Sequence, residues 1–158
     1  MKNQNEFTTL FEKLVKFATL RPRSQKEITD YFQRKRVSSE TQILLLAKLK
    51  SFGFVDDVDF TRWWVDQRLA FRQTGEKLLK NELRLKGISD ETILSVFKEK
   101  DIVKDQKKIA NEFMSKKINR YKQLPKNEFR KKVYGLLLRN GFDWDIAKDV
   151  IDELLSKK

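Results

Sequence analysis

Residues 76–99 read EKLLKNELRLKGISDETILSVFKE, and the reading of this stretch decides the fold. An amphipathic run stops at Gly87, a single apolar residue follows at Ile88, and Ser89 opens a second amphipathic run. Glycine after a helical run suits the left-handed residue that closes a helix. Serine ahead of renewed apolar periodicity suits an N-cap. The spacing therefore predicts a helical hairpin with a tight turn.

The same grammar recurs at residues 26–49, KEITDYFQRKRVSSETQILLLAKL, and at 130–154, RKKVYGLLLRNGFDWDIAKDVIDEL. Phe32, Leu83 and Leu137 each stand four residues before the stops Arg36, Gly87 and Gly141. Val37, Ile88 and Phe142 follow, then the polar starts Ser38, Ser89 and Asp143. Apolar residues just before an N-cap pack one turn into the new helix, which pairs Ile88 with Ile93 and Phe142 with Ala147. In the first copy the expected counterpart is Ile43, one position later, which requires a shift of register. Arg36 is a weaker terminator than the two glycines.

A longer amphipathic helix is expected ahead of each hairpin. Phe7, Leu10, Phe11, Leu14, Val15 and Ala18 follow the i, i+3, i+4, i+7 pattern of one buried face. Asp57 is placed to cap a helix carrying Phe60, Trp63, Trp64 and Phe71, and Asp105 one carrying Ile109, Phe113, Met114 and Tyr121. Ser24 and Glu27 form a capping box, Gly53 ends the third helix, Thr74-Gly75 separates the fourth from the fifth, and Pro125 starts the eighth. The expectation is an all-α protein of three tandem three-helix repeats, at 1–57, 58–104 and 105–158. Each repeat buries its apolar face partly on its neighbour, giving an elongated, curved array with a concave side.

The chain has 158 residues, 39% hydrophobic and 37% charged, with only five glycines and two prolines, a composition that favours helix throughout. Cysteine and histidine are both absent. Thiol chemistry, the usual zinc and iron ligand sets and the commonest general base go with them. Asp56, Asp57 and Asp59 lack a glutamate at calcium-loop spacing and read as helix-start residues. No glycine loop precedes a Lys-Ser or Lys-Thr pair, and no Ser or Thr has a base partner. No enzyme, cofactor or metal is therefore expected. No stretch approaches the apolar length of a leader or membrane span, so a cytoplasmic protein, expected to be a monomer, is the reading.

The formal charge is +12, from 35 Lys and Arg against 23 Asp and Glu, which calls for an anionic partner. Residues 105–158 carry 14 basic against 8 acidic residues, the largest excess of the three repeats. Within them, Lys107 to Lys132 is the densest stretch, suited to phosphate contacts. A continuous basic groove is expected from Arg21 and Arg23, through Arg62, Arg68, Arg72, Lys77 and Lys80, to Lys116, Lys117, Arg120 and Arg139. Trp63 is the expected interface aromatic, because adjacent helix positions point about 100° apart and Trp64, with Phe60 and Phe71, is assigned to the core.

Gly53-Phe54-Val55-Asp56-Asp57, followed by Phe60-Thr61-Arg62-Trp63-Trp64-Val65, Arg68, Gly75, Leu79, Glu82-Leu83 and Lys86-Gly87-Ile88, resembles the signature region of the RecX family. Arg21-Pro22-Arg23-Ser24 and Leu138-Arg139-Asn140-Gly141-Phe142 extend the likeness, which covers residues 7 to 155 in order. Thr61, Asn140 and Arg36 stand where the family usually has Ala, Arg and Gly. The resemblance implies a non-enzymatic regulator that lodges in the groove of the RecA filament on DNA. It would restrain the ATPase, strand-exchange and coprotease activities of RecA in DNA repair and the SOS response. The residues alone leave a plain DNA-binding protein of helix-turn-helix-like modules open.

Overall fold

A computed structural model describes residues 1–157, and among these it contains helices and turns but no strand. The helices are α1 (Lys2–Leu20), α2 (Gln25–Arg34), α3 (Ser39–Ser51), α4 (Asp57–Phe71), α5 (Glu76–Leu85), α6 (Asp90–Glu99), α7 (Gln106–Ser115), α8 (Lys126–Arg139) and α9 (Trp144–Ser156). They build three hydrophobic cores in chain order, making the all-α repeat array that the internal similarity predicts. Leu14, Ile28, Phe32, Leu45 and Leu49 fill the first core, and Phe60, Leu79, Leu83, Ile93 and Phe97 the second. Phe113, Phe129, Val133, Leu137, Phe142 and Val150 fill the third. The closest helix pairings lie inside a core: α1 and α2 with α3, α4 with α5 and α6, and α7 and α8 with α9. Half-buried Leu69 of α4 packs on both the second and third cores.

Local signals set most boundaries. The hydroxyl of Ser24 accepts from the Glu27 N–H while the Glu27 carboxylate accepts from the Ser24 N–H, completing the capping box of α2. Ser38 and Ser89 accept from the Thr41 and Thr92 N–H groups and start α3 and α6. Gly53, Gly87 and Gly141 take left-handed φ values of 73°, 78° and 89° after α3, α5 and α8.

Several expectations are corrected. Ile43 is 69% exposed; no register shift occurs, because Gln42 takes the inner position and its amide donates to the Val37 carbonyl at 2.8 Å. Phe71, assigned to the core from sequence, is 75% exposed, while Leu69, Gln73 and Thr74 around it take the inner positions at the end of α4. Asp56, not Asp57, caps α4, accepting from the Val58 and Asp59 N–H groups. Asp105 stands ahead of α7 without a side-chain cap, and Asp143 ahead of α9 pairs with Lys77 instead of capping. The helix expected to run from Asp105 to Tyr121 stops at Ser115 and gives way to a 3-10 turn over Ile118–Arg120. The Ser115 hydroxyl donates back to the Glu112 carbonyl, and a continued helix would set Lys116 against Arg120 at i, i+4. Ile118 and Tyr121 still pack on the third core.

Neighbouring cores meet through helix starts and hairpin turns. The Asp57 carboxylate, at the start of α4, accepts from the Gln25 N–H at the start of α2, at 2.8 Å. The Gln106 amide oxygen, at the start of α7, accepts from the Glu76 N–H at the start of α5, at 2.9 Å. Gly75 and Lys77 donate their N–H groups to the Asn140 and Gly141 carbonyls of the α8–α9 turn. The glycine turns lie tight on these starts. A Cβ at Gly87 would meet the Lys26 side chain at 2.6 Å, and one at Gly141 would meet the Leu78 Cβ and backbone N at 2.5 Å. Arg36 holds the matching left-handed place, φ 53°, in the first hairpin and is exposed.

Gly141→Ala is expected to cost more than about 2 kcal/mol, adding left-handed strain of roughly 1–2 kcal/mol to a clash with Leu78. Arg36→Gly relieves the same strain at an uncovered turn and is expected to raise stability by up to about 1 kcal/mol. Urea melts followed by helical circular dichroism measure both; equal responses at the two positions would show that the turns do not stack differently.

Candidate functional site

The basic residues nominated from sequence divide into two groups. The first group is answered within the chain. Arg21 pairs with Glu27 at 2.5 Å and lies 5.5 Å from the Trp63 ring centre. Arg23 donates to the Phe17 carbonyl at 3.0 Å with its guanidinium 3.8 Å over the Phe17 ring. Burial beside that ring, with Arg21 near, lowers its pKa against the opposing pull of Glu27. Arg62 is held by Glu99 and Asp59, Arg68 by Glu82, Lys77 by Asp143 and Lys80 by Glu76. The hydrogen bonds from Arg62 to Glu99 and from Lys77 to Asp143 raise the pKa of each cation. Lys117 lies 5.1 Å from the Phe113 ring centre.

The second group, Arg72, Lys116, Arg120 and Arg139, faces solvent and has no ion-pair partner among the described residues. Arg72 terminates α4, Lys116 and Arg120 flank the 3-10 turn, and Arg139 ends α8. The expected continuous groove is thus uneven in free charge. Elsewhere in the second repeat, Arg84, Lys86 and Lys100 are also paired, with Asp90, Glu27 and Asp66. Among the described residues, only Lys107 and Arg130 of the Lys107 to Lys132 stretch find carboxylates, Glu153 and Asp152 of α9.

Trp63 and Trp64 belong to a cluster where the first and second cores meet. Both are half-buried and pack against Phe60 at 6.0 and 5.7 Å between ring centres. The Trp64 indole N–H donates to Glu82 at 2.9 Å, and the same carboxylate oxygen accepts from Arg68 at 2.8 Å. Arg68 and Lys86 both lie over the Trp64 ring, at 4.4 and 5.3 Å. Lys86 also reaches Glu27 of α2 at 3.1 Å, so Glu27 joins Arg21, the capping box and the second repeat. Trp63, the expected base-stacking surface, is therefore engaged with Arg21 and its aromatic neighbours. Glu27 is legible in the sequence as part of the capping box and Glu82 and Lys86 as part of the family-like segment, but their ion pairs are not, because only the fold brings Lys86 to α2.

Among the described residues no cluster of acidic side chains could hold a metal ion, and no helix is long and apolar enough to cross a membrane. Asp56, Asp57 and Asp59 are used as two caps and an ion pair with Arg62. On α8, Lys131, Lys132, Gly135 and Arg139 line a shallow depression of about 560 Å³ together with Tyr121 and Glu128.

The chain is thus a helical repeat array whose second repeat keeps most of its cations paired and whose third leaves most of them in solvent. Residues 56–96 match the second three-helix domain of RecX and residues 105–151 match its third. The chain belongs to the RecX family. Regulatory protein RecX of Amycolatopsis mediterranei (strain U-32) is 30% identical over 136 residues, covering 86% of this chain and 77% of that protein. Regulatory protein RecX of Oceanobacillus iheyensis is 30% identical over 143 residues, covering 89% of this chain and 51% of that protein. For regulatory protein RecX of Bacillus subtilis (strain 168) the identity is 28% over 147 residues. The chain spans about half the length of the Oceanobacillus and Bacillus relatives. The crystal structure of RecX from Lactobacillus salivarius superposes with a TM-score of 0.81 at 21% identity, covering 96% of this chain and 97% of that one. A second crystal structure of regulatory protein RecX gives 0.78 at 19% identity, covering 92% and 71%. These structural likenesses concern the fold.

Glu27 supplies a pH test of the junction. Burial opposes its ionisation, but hydrogen bonds from Arg21, the Ser24 N–H and Lys86 outweigh this and hold its carboxyl below the usual range. A depressed folded-state pKa gives stability that is present above the unfolded value of about 4.3 and is lost as pH falls through the folded one. Glu27→Gln is expected to cost about 1–2 kcal/mol at pH 7 for this partly exposed cluster. The deficit should shrink on acidification below about pH 4. Urea midpoints at pH 7 and pH 3 check it; a deficit that does not change with pH would remove Glu27 from the junction.

Proposed function

We propose that this protein is a regulator of the RecA recombinase that acts by occupying the groove of the RecA–DNA filament. In doing so it restrains RecA ATPase, strand exchange and coprotease activity during DNA repair and the SOS response. The observation that carries the reading is family membership, since the relatives are named regulatory protein RecX. The partner, the RecA filament, comes from that family likeness. The chain's own chemistry supports it: an array with +12 charge suits a groove lined by acidic protein surface and DNA phosphate.

Action by occupancy requires no catalytic group, and we take the protein to be a non-enzymatic, cytoplasmic monomer with no cofactor. We assign its units as residues 1–57, 58–104 and 105–158. Within the nominated interface, Arg72, Lys116, Arg120 and Arg139 carry the larger share of the contacts. Arg21, Arg23, Arg62, Trp63, Arg68, Lys77, Lys80 and Lys117 chiefly hold the array in the shape that fits the groove. A cation already paired with a carboxylate has less to offer an external phosphate.

The reading is tested by RecA ATPase on single-stranded DNA, titrated with the protein at two salt concentrations. Dose-dependent inhibition is expected at protein well below the amount that coats the DNA, weakening at higher salt. ATPase that falls only once the DNA is coated would favour the second reading, a general DNA-binding protein, which the free cations of residues 116–132 support.

A further inference from the structure

We propose that the depression on the outer face of α8 is a phosphodiester-binding site that grips the backbone of a DNA strand through Lys131, Lys132 and Arg139. It deepens the filament reading by assigning its DNA-facing part to the third repeat. α8 buries Phe129, Val133 and Leu137 and turns the opposite stripe, at i, i+4 and i+8 from Lys131, to solvent. The Arg139 guanidinium reaches back beside Gly135, four residues and so roughly 6 Å along the axis from Lys131 at 1.5 Å per residue. That span covers about two steps of a strand whose charges recur about every 3.4 Å.

The charge there is uncommitted. Arg130, beside this stripe, pairs with Asp152 at 3.7 Å, whereas Lys131, Lys132 and Arg139 have no carboxylate partner among the described residues. Glu128 is the single acidic residue lining the depression. Arg120, Lys122 and Lys126 are exposed nearby in sequence and also unpaired, so they surround the site with positive potential. The second repeat, by contrast, has spent most of its cations on internal carboxylates.

Gly135 is the least expected residue of the stripe. It sits in the middle of a fourteen-residue helix, where glycine is a poor helix former. A Cβ at this position would meet the Arg139 guanidinium at 3.0 Å. The missing side chain lets Arg139 fold back along α8 into the row of lysines, presenting a planar fork to an anion instead of trailing off the helix end. Tyr121 closes one side of the depression, half-buried against the third core, and its ring and hydroxyl can meet a sugar. An acidic protein would need a large apolar anchor to bind tightly in such a place. The lining supplies cations, a glycine, a carboxylate and one tyrosine instead.

The test uses the whole chain and no RecA, so that its failure stays separate from failure of the ATPase experiment. Fluorescence anisotropy with labelled single-stranded and duplex DNA of equal length is followed across a salt series. The triple variant K131Q/K132Q/R139Q is expected to bind at least ten-fold more weakly at low salt. The slope of log K against log salt should fall by about 2 on single strands and between 2 and 3 on duplex, at roughly 0.7 and 0.9 per phosphate contact. K2Q/K13Q/K16Q removes the same charge from exposed, unpaired positions of α1 and is expected to change binding less than three-fold. Gly135→Ala should bind DNA more weakly while its melting temperature stays level or rises, a combination that a packing role for Gly135 would not give. Loss on one form of DNA only identifies that form as the ligand and supports the site. Unchanged binding by the α8 triple, or equal losses in the two triples, would overturn it.

Discussion

The structure depends on how the first amides of the middle helices are satisfied. A helix begins with N–H groups that have no partner within it, and burying one unpaired costs on the order of 1–3 kcal/mol. α5 begins at a glycine with no side-chain cap. Its first N–H groups, on Gly75, Glu76 and Lys77, are taken by the Asn140 carbonyl, the Gln106 amide and the Gly141 carbonyl, all from the next repeat. α2 is more self-reliant, with its own capping box, yet it still gives the Gln25 N–H to Asp57 of the following repeat. Each repeat thus finishes the helix start of the one before it, and stacking becomes a hydrogen-bonding necessity as well as a means of burying apolar surface.

The same contact explains the glycines. A hairpin turn that presses onto the previous repeat must bring backbone against backbone, and at Gly75 and Gly141 a Cβ on either would land within 2.6 Å of the other's neighbourhood. In the first hairpin Arg36 occupies the left-handed position, exposed and without the close backbone approach that Gly87 and Gly141 make.

Apolar periodicity and glycine-serine punctuation account for the nine α-helices and three cores among the described residues, since both signals are local and the side chains that carry them are the ones buried. Failures cluster where the deciding partner is distant. Asp57 looks like the cap of its own helix but serves α2, thirty-two positions away. Gln42 replaces an apolar residue in the first hairpin because the Val37 carbonyl needs a donor. Phe71 is in phase with Phe60 along α4, yet the inner positions at that helix end go to Leu69, Gln73 and Thr74, which meet the next repeat. The state of each cation was the least legible: a count of cations cannot distinguish Arg62, held by two carboxylates, from Lys131, which has none among the described residues.

The departures from the family pattern follow the same logic. Thr61 is fully buried where alanine is usual, and its hydroxyl donates to the Asp57 carbonyl at 2.6 Å, so the extra polar atom is satisfied inside α4. Asn140 stands where arginine is usual, and its amide donates to the Gln73 carbonyl of the preceding repeat at 3.1 Å. Gln73 is itself left-handed, φ 49°, and its own amide returns to the Leu69 carbonyl, so Asn140 steadies a strained junction residue that a charged side chain would leave for solvent. The second junction therefore gains a hydrogen bond and gives up a cation. At the first junction the cations Arg21 and Lys86 are instead kept and answered by Glu27, so the two junctions are closed by different chemistry, an ion-pair cluster in one and neutral amides in the other.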